Sequence, residues 1–135
     1  IADDDSLDLH QRWIAECDPA SESVGESRTR LLLTDLRHRP RTPVRVADDS
    51  GAVFARPDFL IGDRVIVEFD GLVKYAGLEG REALAAEKIR EDRLRANGYE
   101  VVRLTWADLD NPRRVDALIR AALARAAARG RRPAS

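Results

Sequence analysis

One hairpin-like stretch in the middle of the chain constrains the fold most, because it places acidic residues within apolar strands. Gly62-Asp63-Arg64 separates two short segments rich in β-branched and aromatic residues, a pattern typical of antiparallel strands joined by a three-residue loop. That loop length places Asp58 opposite Glu68. Because side chains alternate along a strand, Asp70 shares the face of Glu68. We therefore predict that three carboxylates converge on one face of a sheet.

Carboxylates in such apolar surroundings need compensation, because burying a charge is costly unless a cation takes it up. Convergent carboxylate oxygens suit Mg²⁺ or Mn²⁺, which can activate water and neutralise charge on a phosphodiester. The pattern therefore predicts a metal site at Asp58 and Glu68, and nuclease chemistry with it. Two structural alternatives stay open. Asp58 can begin a turn or pair with an arginine, and Asp70 with Gly71 can form a turn that closes the strand.

Helices are predicted on both sides of these strands. Ser23-Val24-Gly25-Glu26 is typical of a capping box that opens a helix to about residue 38. Asn97-Gly98 predicts the end of a second helix, and Asn111-Pro112 the start of a third. The remaining predicted elements are strands at about 42–47, 52–60, 65–69 and 99–104 and a helix at about 81–96. Antiparallel strands followed by a helical crossover to another strand imply an α/β fold with a mixed sheet flanked by helices.

The predicted folded domain covers residues 21–130. The apolar residues at 6–17 indicate a short helix, which lies within a predicted linker at 1–20. Because the sequence contains no Met and begins with Ile, we expect this linker to follow an N-terminal domain that the chain lacks. Residues 131–135 are expected to form a frayed tail.

Cysteine content and hydropathy indicate the compartment. A single cysteine, Cys17, excludes an internal disulfide framework, and one cysteine with two histidines gives no zinc-binding spacing. No segment of the sequence is as long and apolar as a membrane span. We therefore expect a cytoplasmic protein that makes no contact with a membrane.

Basic charge is concentrated after the first 26 residues. Residues 1–26 carry one Arg against eight acidic residues, whereas the rest carries 22 basic against 16 acidic residues. Arginines crowd the first predicted helix and the strand after it, which predicts contact with the phosphates of DNA. These arginines are Arg28, Arg30, Arg37, Arg39, Arg41 and Arg45. A solvated arginine-rich face is the alternative.

A family resemblance rests on two blocks of sequence. Pro57-Asp58 followed by Glu68-Phe69-Asp70, in the order α-β-β-β-α-β, resembles the PD-(D/E)XK nuclease superfamily and its restriction-endonuclease-like core. The block from Glu87 to Trp106 is similar to the helix and strand of very short patch repair endonucleases. It also resembles the C-terminal domain of actinobacterial uncharacterised proteins with a type IV antitoxin-like N-terminal domain. The resemblance covers residues 23 to 125.

This resemblance implies Mg²⁺- or Mn²⁺-dependent hydrolysis of DNA phosphodiesters. Asp58 and Glu68 would then be the metal ligands, with Glu26 as a further acidic residue. The alternative for Glu26 is a structural role as the third helical residue of the predicted capping box.

At Asp70 the chain departs from the superfamily motif, which usually has a Lys that polarises the attacking water. The resemblance leaves two replacements, Lys74 on the following loop and Lys88 on the next helix. Lys88 could instead pair with Asp92 four residues later. The departure also supports another class of function. In that alternative the chain is an inactive nuclease-fold module that binds DNA or a protein partner, in a toxin–antitoxin or mobile-element setting.

Overall fold

A small mixed β-sheet flanked by helices forms the centre of this α/β protein. The computed structural model describes residues 19–71 and 77–130, so the predicted helix at 6–17 and the tail at 131–135 lie outside it. Within these ranges no helix is long and apolar enough to cross a membrane. The elements in chain order are α1 (Pro19–Asp35), β1 (Val46–Ala47), β2 (Val53–Ala55), β3 (Phe59–Ile61), β4 (Val65–Phe69), α2 (Gly77–Ala96), β5 (Glu100–Leu104), α3 (Trp106–Leu109) and α4 (Pro112–Gly130).

The central sheet has the strand order β3-β4-β5. β3 and β4 form the predicted antiparallel hairpin, in which Ile61 pairs with Val65 and Phe59 with Val67. β5 lies parallel to β4, because α2 carries the chain back across the sheet between them. The prediction of a mixed sheet is therefore confirmed.

The two faces of the sheet are buried differently. On one face, β3, β4 and β5 pack against α1, α3 and α4 in an apolar cluster that includes Leu33, Val67 and Ile119. On the other face, Ile66 and Leu94 belong to a smaller cluster, to which α2 and the β1–β2 pair contribute. The larger part of the apolar core therefore lies on the face covered by α1, α3 and α4.

The predicted strand at 52–60 is wrong as a single strand. β2 pairs with β1 in a separate two-stranded sheet, called the ribbon below, whereas β3 belongs to the central sheet. The break falls at Arg56-Pro57-Asp58, because proline has no N–H for a ladder hydrogen bond. The predicted strand at 42–47 is also shorter than expected. Only Val46–Ala47 forms it, and Arg41 makes an isolated bridge to Leu60.

The predicted capping box of α1 is wrong, because the helix begins earlier. α1 runs from Pro19 to Asp35, so Ser23 lies inside it. Proline suits the first helical turn, since its missing N–H would have no intrahelical partner there. Arg37 adopts a left-handed φ of 68°, and the helix ends before it. Glu26 is thus a mid-helix residue and does not cap the helix.

The other helix ends follow local signals. Gly98 has a φ of 91° and ends α2 as predicted. The side chain of Asn111 accepts a hydrogen bond from the backbone N–H of Arg114 at 3.3 Å, which confirms the predicted start of α4. The short helix α3 was not predicted. Thr105 and Asp108 form its capping box.

Candidate functional site

Asp58 and Glu68 lie on the face of the central sheet that α2 covers. Asp58 directly precedes β3, and its Oδ2 accepts a hydrogen bond from the backbone N–H of Phe69 at 2.8 Å. Glu68 lies on β4 with a side chain only 13% exposed. The register that pairs Phe59 with Val67, continued by one residue, brings the two acids opposite each other at the end of the ladder.

Arg90 on α2 holds Glu68 in a bidentate ion pair. Its Nη2 donates to Oε2 of Glu68 at 2.7 Å, and its Nη1 donates to Oε1 at 3.0 Å. The same Nη1 donates to Glu87 at 3.0 Å. Arg103 on β5 adds ion pairs to Glu68 at 3.6 Å, to Glu87 at 3.1 Å and to Glu91 at 3.5 Å. Paired forks of this kind are among the stronger ionic contacts in proteins.

The electrostatics of Arg90 link it to both predicted metal ligands. Its pKa is raised above the ordinary value, mainly by the hydrogen bond to Glu68 and against the opposing effect of burial. The charges of Glu68, Glu87 and Asp58 raise the pKa further. A guanidinium therefore lies in the field of the two carboxylates between which the sequence predicts an ion.

Glu26 and Asp58 meet at a cavity between α1 and the ribbon. Its volume is about 240 Å³, and it is lined by Glu26, Thr42, Pro43, Val44, Arg45, Arg56, Pro57 and Asp58. Gly25 permits this approach of α1, because a Cβ there would overlap the ring of Phe69. The absent side chain lets the helix pack closely against the end of β4. This close packing sets the position of the next residue, Glu26.

The donor chemistry of this cavity fits a hard divalent cation, since both acidic residues offer oxygen ligands. Glu68 differs, because each of its oxygens already accepts a hydrogen bond from Arg90. Among residues 19–71 and 77–130, no group of three or more His, Cys, Asp or Glu side chains is arranged to hold a metal ion. Glu26 and Asp58 are thus the two carboxylates that line the cavity and could bind a cation there.

The residues predicted to replace the motif lysine lie in different places. Asp70 is half-buried after β4, and its N–H donates to the carbonyl of Leu104 at 2.7 Å, which continues the pairing with β5. Lys74 lies outside the described residues. Lys88 is exposed. It precedes Arg90 by two positions, about 200° around the helix, and so faces away from the sheet.

The predicted nucleic-acid-binding arginines have different surroundings. Arg28 pairs with an acidic residue before α4, and Arg41 with one in the β3–β4 loop. The guanidinium of Arg30 lies 5.8 Å from the ring centroid of a buried phenylalanine. Arg45 lines the cavity with Glu26 and Asp58. Two further arginines of the set, Arg37 and Arg39, are exposed and do not line that cavity.

Sequence reasoning missed two arginines at the site. Arg56 lies directly before Pro57-Asp58 and lines the cavity. Its position beside the acidic motif was a signal that could have drawn attention to it. Arg90 lies within the block that resembles repair endonucleases, yet nothing local in the sequence links it to Glu68, 22 residues earlier.

Comparisons of this chain with protein-family models, with curated proteins and with solved structures give no match.

Proposed function

We propose that this chain is a metal-dependent nuclease domain that hydrolyses phosphodiester bonds in DNA. One observation carries the proposal. Glu26 and Asp58, from separate elements, line a cavity to which Arg45 and Arg56 also contribute. Carboxylates suited to a divalent ion and guanidiniums suited to a phosphate thus border the same space.

The arrangement of elements supports a restriction-endonuclease-like core. α1 packs beside the end of β4, the β3–β4 hairpin is antiparallel, and α2 leads to a parallel β5. The resemblance implies three strands between these two helices, whereas the part of the chain that the structure describes has four, of which β3 and β4 belong to the central sheet. In that core Asp58 and Glu68 correspond to the acidic motif of the PD-(D/E)XK superfamily.

The residues at the cavity have distinct proposed roles. Asp58 and Glu26 would hold Mg²⁺ or Mn²⁺, with Glu68 as the third carboxylate. When bound, the ion would activate water and neutralise charge on the phosphodiester. The hydrogen bond from the N–H of Phe69 fixes the orientation of Asp58. Arg56, at the lining of the same cavity, would contact the phosphate and stabilise its negative charge.

Lys74 is proposed to supply the ammonium group that Asp70 cannot supply. In sequence it follows the end of the strand that carries Glu68 by five residues. Lys88 is the weaker choice, because it is exposed on α2.

The Arg90–Glu68 pair favours a second function, an inactive nuclease-fold module that binds DNA or a protein partner. Two hydrogen bonds at 2.7 and 3.0 Å neutralise Glu68 without an ion. A binding module could keep this pair permanently, whereas a nuclease that uses Glu68 as a metal ligand must loosen it.

Cleavage of supercoiled plasmid, whose underwound duplex exposes unpaired strands, in Mg²⁺ or Mn²⁺ tests the proposal. We expect the wild type to nick the plasmid with either ion and not with EDTA. The rate of Asp58→Asn should fall roughly 100-fold, because one metal ligand and its charge are lost. Asp49→Asn is the matched control, since Asp49 is exposed in the turn of the ribbon. Its activity should be unchanged.

Two results would count against the nuclease proposal. Equal rates for the wild type and Asp58→Asn would show that this carboxylate has no catalytic role. Absence of cleavage of plasmid, single-stranded DNA and RNA in either metal would favour the inactive module. The thermal unfolding temperatures of both variants should match that of the wild type, which shows that a loss of activity does not come from a loss of folding.

A further inference from the structure

Two arginines flank the base of the ribbon. Val46 on β1 pairs with Ala55 on β2. Arg45 directly precedes Val46 and Arg56 directly follows Ala55, so the antiparallel register, continued by one position, brings the two arginines opposite each other. Like charges directly opposite on antiparallel strands repel each other. Such an arrangement is stabilised when an anion lies between the two side chains.

Neither arginine has a partner for its charge in the part of the chain that the structure describes. By contrast, the nearby Arg41, Arg90 and Arg93 each pair with a carboxylate. Both Arg45 and Arg56 are exposed and line the 240 Å³ cavity. The two guanidiniums are therefore available to an anion from outside the protein.

Arg56 also borders a second cavity. This cavity has a volume of about 320 Å³ and is lined by Val53, Phe54, Ala55, Arg56 and Arg90. Arg56 thus belongs to the lining of both cavities. The first cavity is lined by acidic and basic residues, and the second includes the aromatic residue Phe54. The guanidinium of Arg93 lies over the Phe54 ring, 4.1 Å from its centroid, so this part of the cavity is an arginine–aromatic stack. Unstacked bases pack on aromatic rings and on guanidinium planes, next to basic contacts to their phosphates.

From these observations we infer that Arg45 and Arg56 clamp one backbone phosphate of a single nucleic-acid strand. The adjacent nucleotide enters the cavity lined by Phe54. Cavities of this size are at or below the lower end of the range for ligand pockets, about 300–1,000 Å³, so each suits one nucleotide-sized group and not the face of a duplex. The inference rests on the proposed function, because it names the substrate strand at the same cavity.

Binding of a fluorescein-labelled single-stranded DNA 20-mer, followed by fluorescence anisotropy in EDTA, tests the clamp. EDTA prevents metal-dependent cleavage, so the measurement reports binding alone. It therefore tests the clamp even if the protein is not a nuclease. Replacing both arginines, Arg45→Ala with Arg56→Ala, should weaken binding at least tenfold. It should also flatten the plot of log affinity against log salt concentration by about 1.4, the slope expected for two lost contacts to a single strand.

The matched control replaces Arg81 and Arg113 with alanine, because both are exposed arginines that do not line these cavities. It changes the net charge equally and should leave affinity within twofold of the wild type. Equal weakening in control and test variants would overturn the clamp and assign binding to overall charge. Binding of a duplex alone, or of a mononucleotide as tightly as the 20-mer, would overturn the single-strand assignment. Unchanged affinity in the Arg45 and Arg56 variant would overturn the inference outright.

Discussion

At the residue scale, Arg90 holds Glu68 at the place where the proposed function needs a metal ion. The guanidinium donates to both carboxylate oxygens, and the charge of Asp58 also acts on it. A divalent ion bound at Asp58 would repel Arg90 across a short distance. In the proposed nuclease, Arg90 therefore keeps Glu68 oriented and compensates its charge in the absence of metal, and it lowers the affinity of the site for the ion.

Replacement of Arg90 by glutamine separates these two effects. Because the repelling charge is removed, Arg90→Gln should bind Mn²⁺ roughly tenfold more tightly, measured by isothermal titration calorimetry. The same change should lower the free energy of unfolding by about 2 kcal/mol, since partly buried ionic hydrogen bonds are lost. Arg95→Gln on the same helix is the control, because Arg95 pairs with Glu91 at the longer distance of 3.7 Å. Weaker Mn²⁺ binding by Arg90→Gln would show that Arg90 does not compete with the ion for Glu68.

At the element scale, the contact between α1 and β4 positions one side of the cavity. Gly25 lies against the ring of Phe69, which itself meets Trp106 edge-on with ring centroids 4.8 Å apart. The buried hydroxyl of Thr29 donates to the carbonyl of Gly25 at 2.7 Å and fixes the same turn. This packing of α1 against β4 fixes the position of Glu26 at the cavity.

A methyl group at Gly25 should therefore disturb both stability and site. In Gly25→Ala the new Cβ would overlap the Phe69 ring, so α1 must move. We expect the free energy of unfolding to fall by about 1–3 kcal/mol, measured by urea denaturation, and Mn²⁺ affinity to fall with it. Gly130→Ala is the control, because a Cβ at that position would have no atom within 4 Å and stability should hold. Equal stability of Gly25→Ala and wild type would show that α1 adapts without cost.

Features set by local sequence could be predicted, and features set by distant contacts could not. The β3–β4 register follows from a three-residue loop and the two-residue period of strands. The split between β2 and β3 was also local, and the missing N–H of Pro57 should have indicated it. The pairing of Arg90 with Glu68 depends on how α2 crosses the sheet, which no local pattern specifies. The meeting of Glu26 and Asp58 also depends on a distant contact, and only the family resemblance indicated it.

At the scale of the whole molecule, the two faces of the central sheet differ in the elements that cover them and in the residues that they bury. One face is closed by α1, α3 and α4 over an apolar core. The other is covered by α2 and the ribbon, and its edge carries the acidic residues and Arg90. The larger apolar cluster therefore lies on one face, and the proposed site lies at the edge of the other.

The central claim is that Asp58 holds a divalent ion at this second face, and anomalous diffraction tests it most directly. Crystals of the full chain grown with Mn²⁺ should show an anomalous peak in contact with the carboxylate of Asp58. That peak should be absent in Asp58→Asn crystals grown in the same way. A Mn²⁺ peak elsewhere, or none, with Glu68 still bonded to Arg90 through both oxygens, would contradict the account.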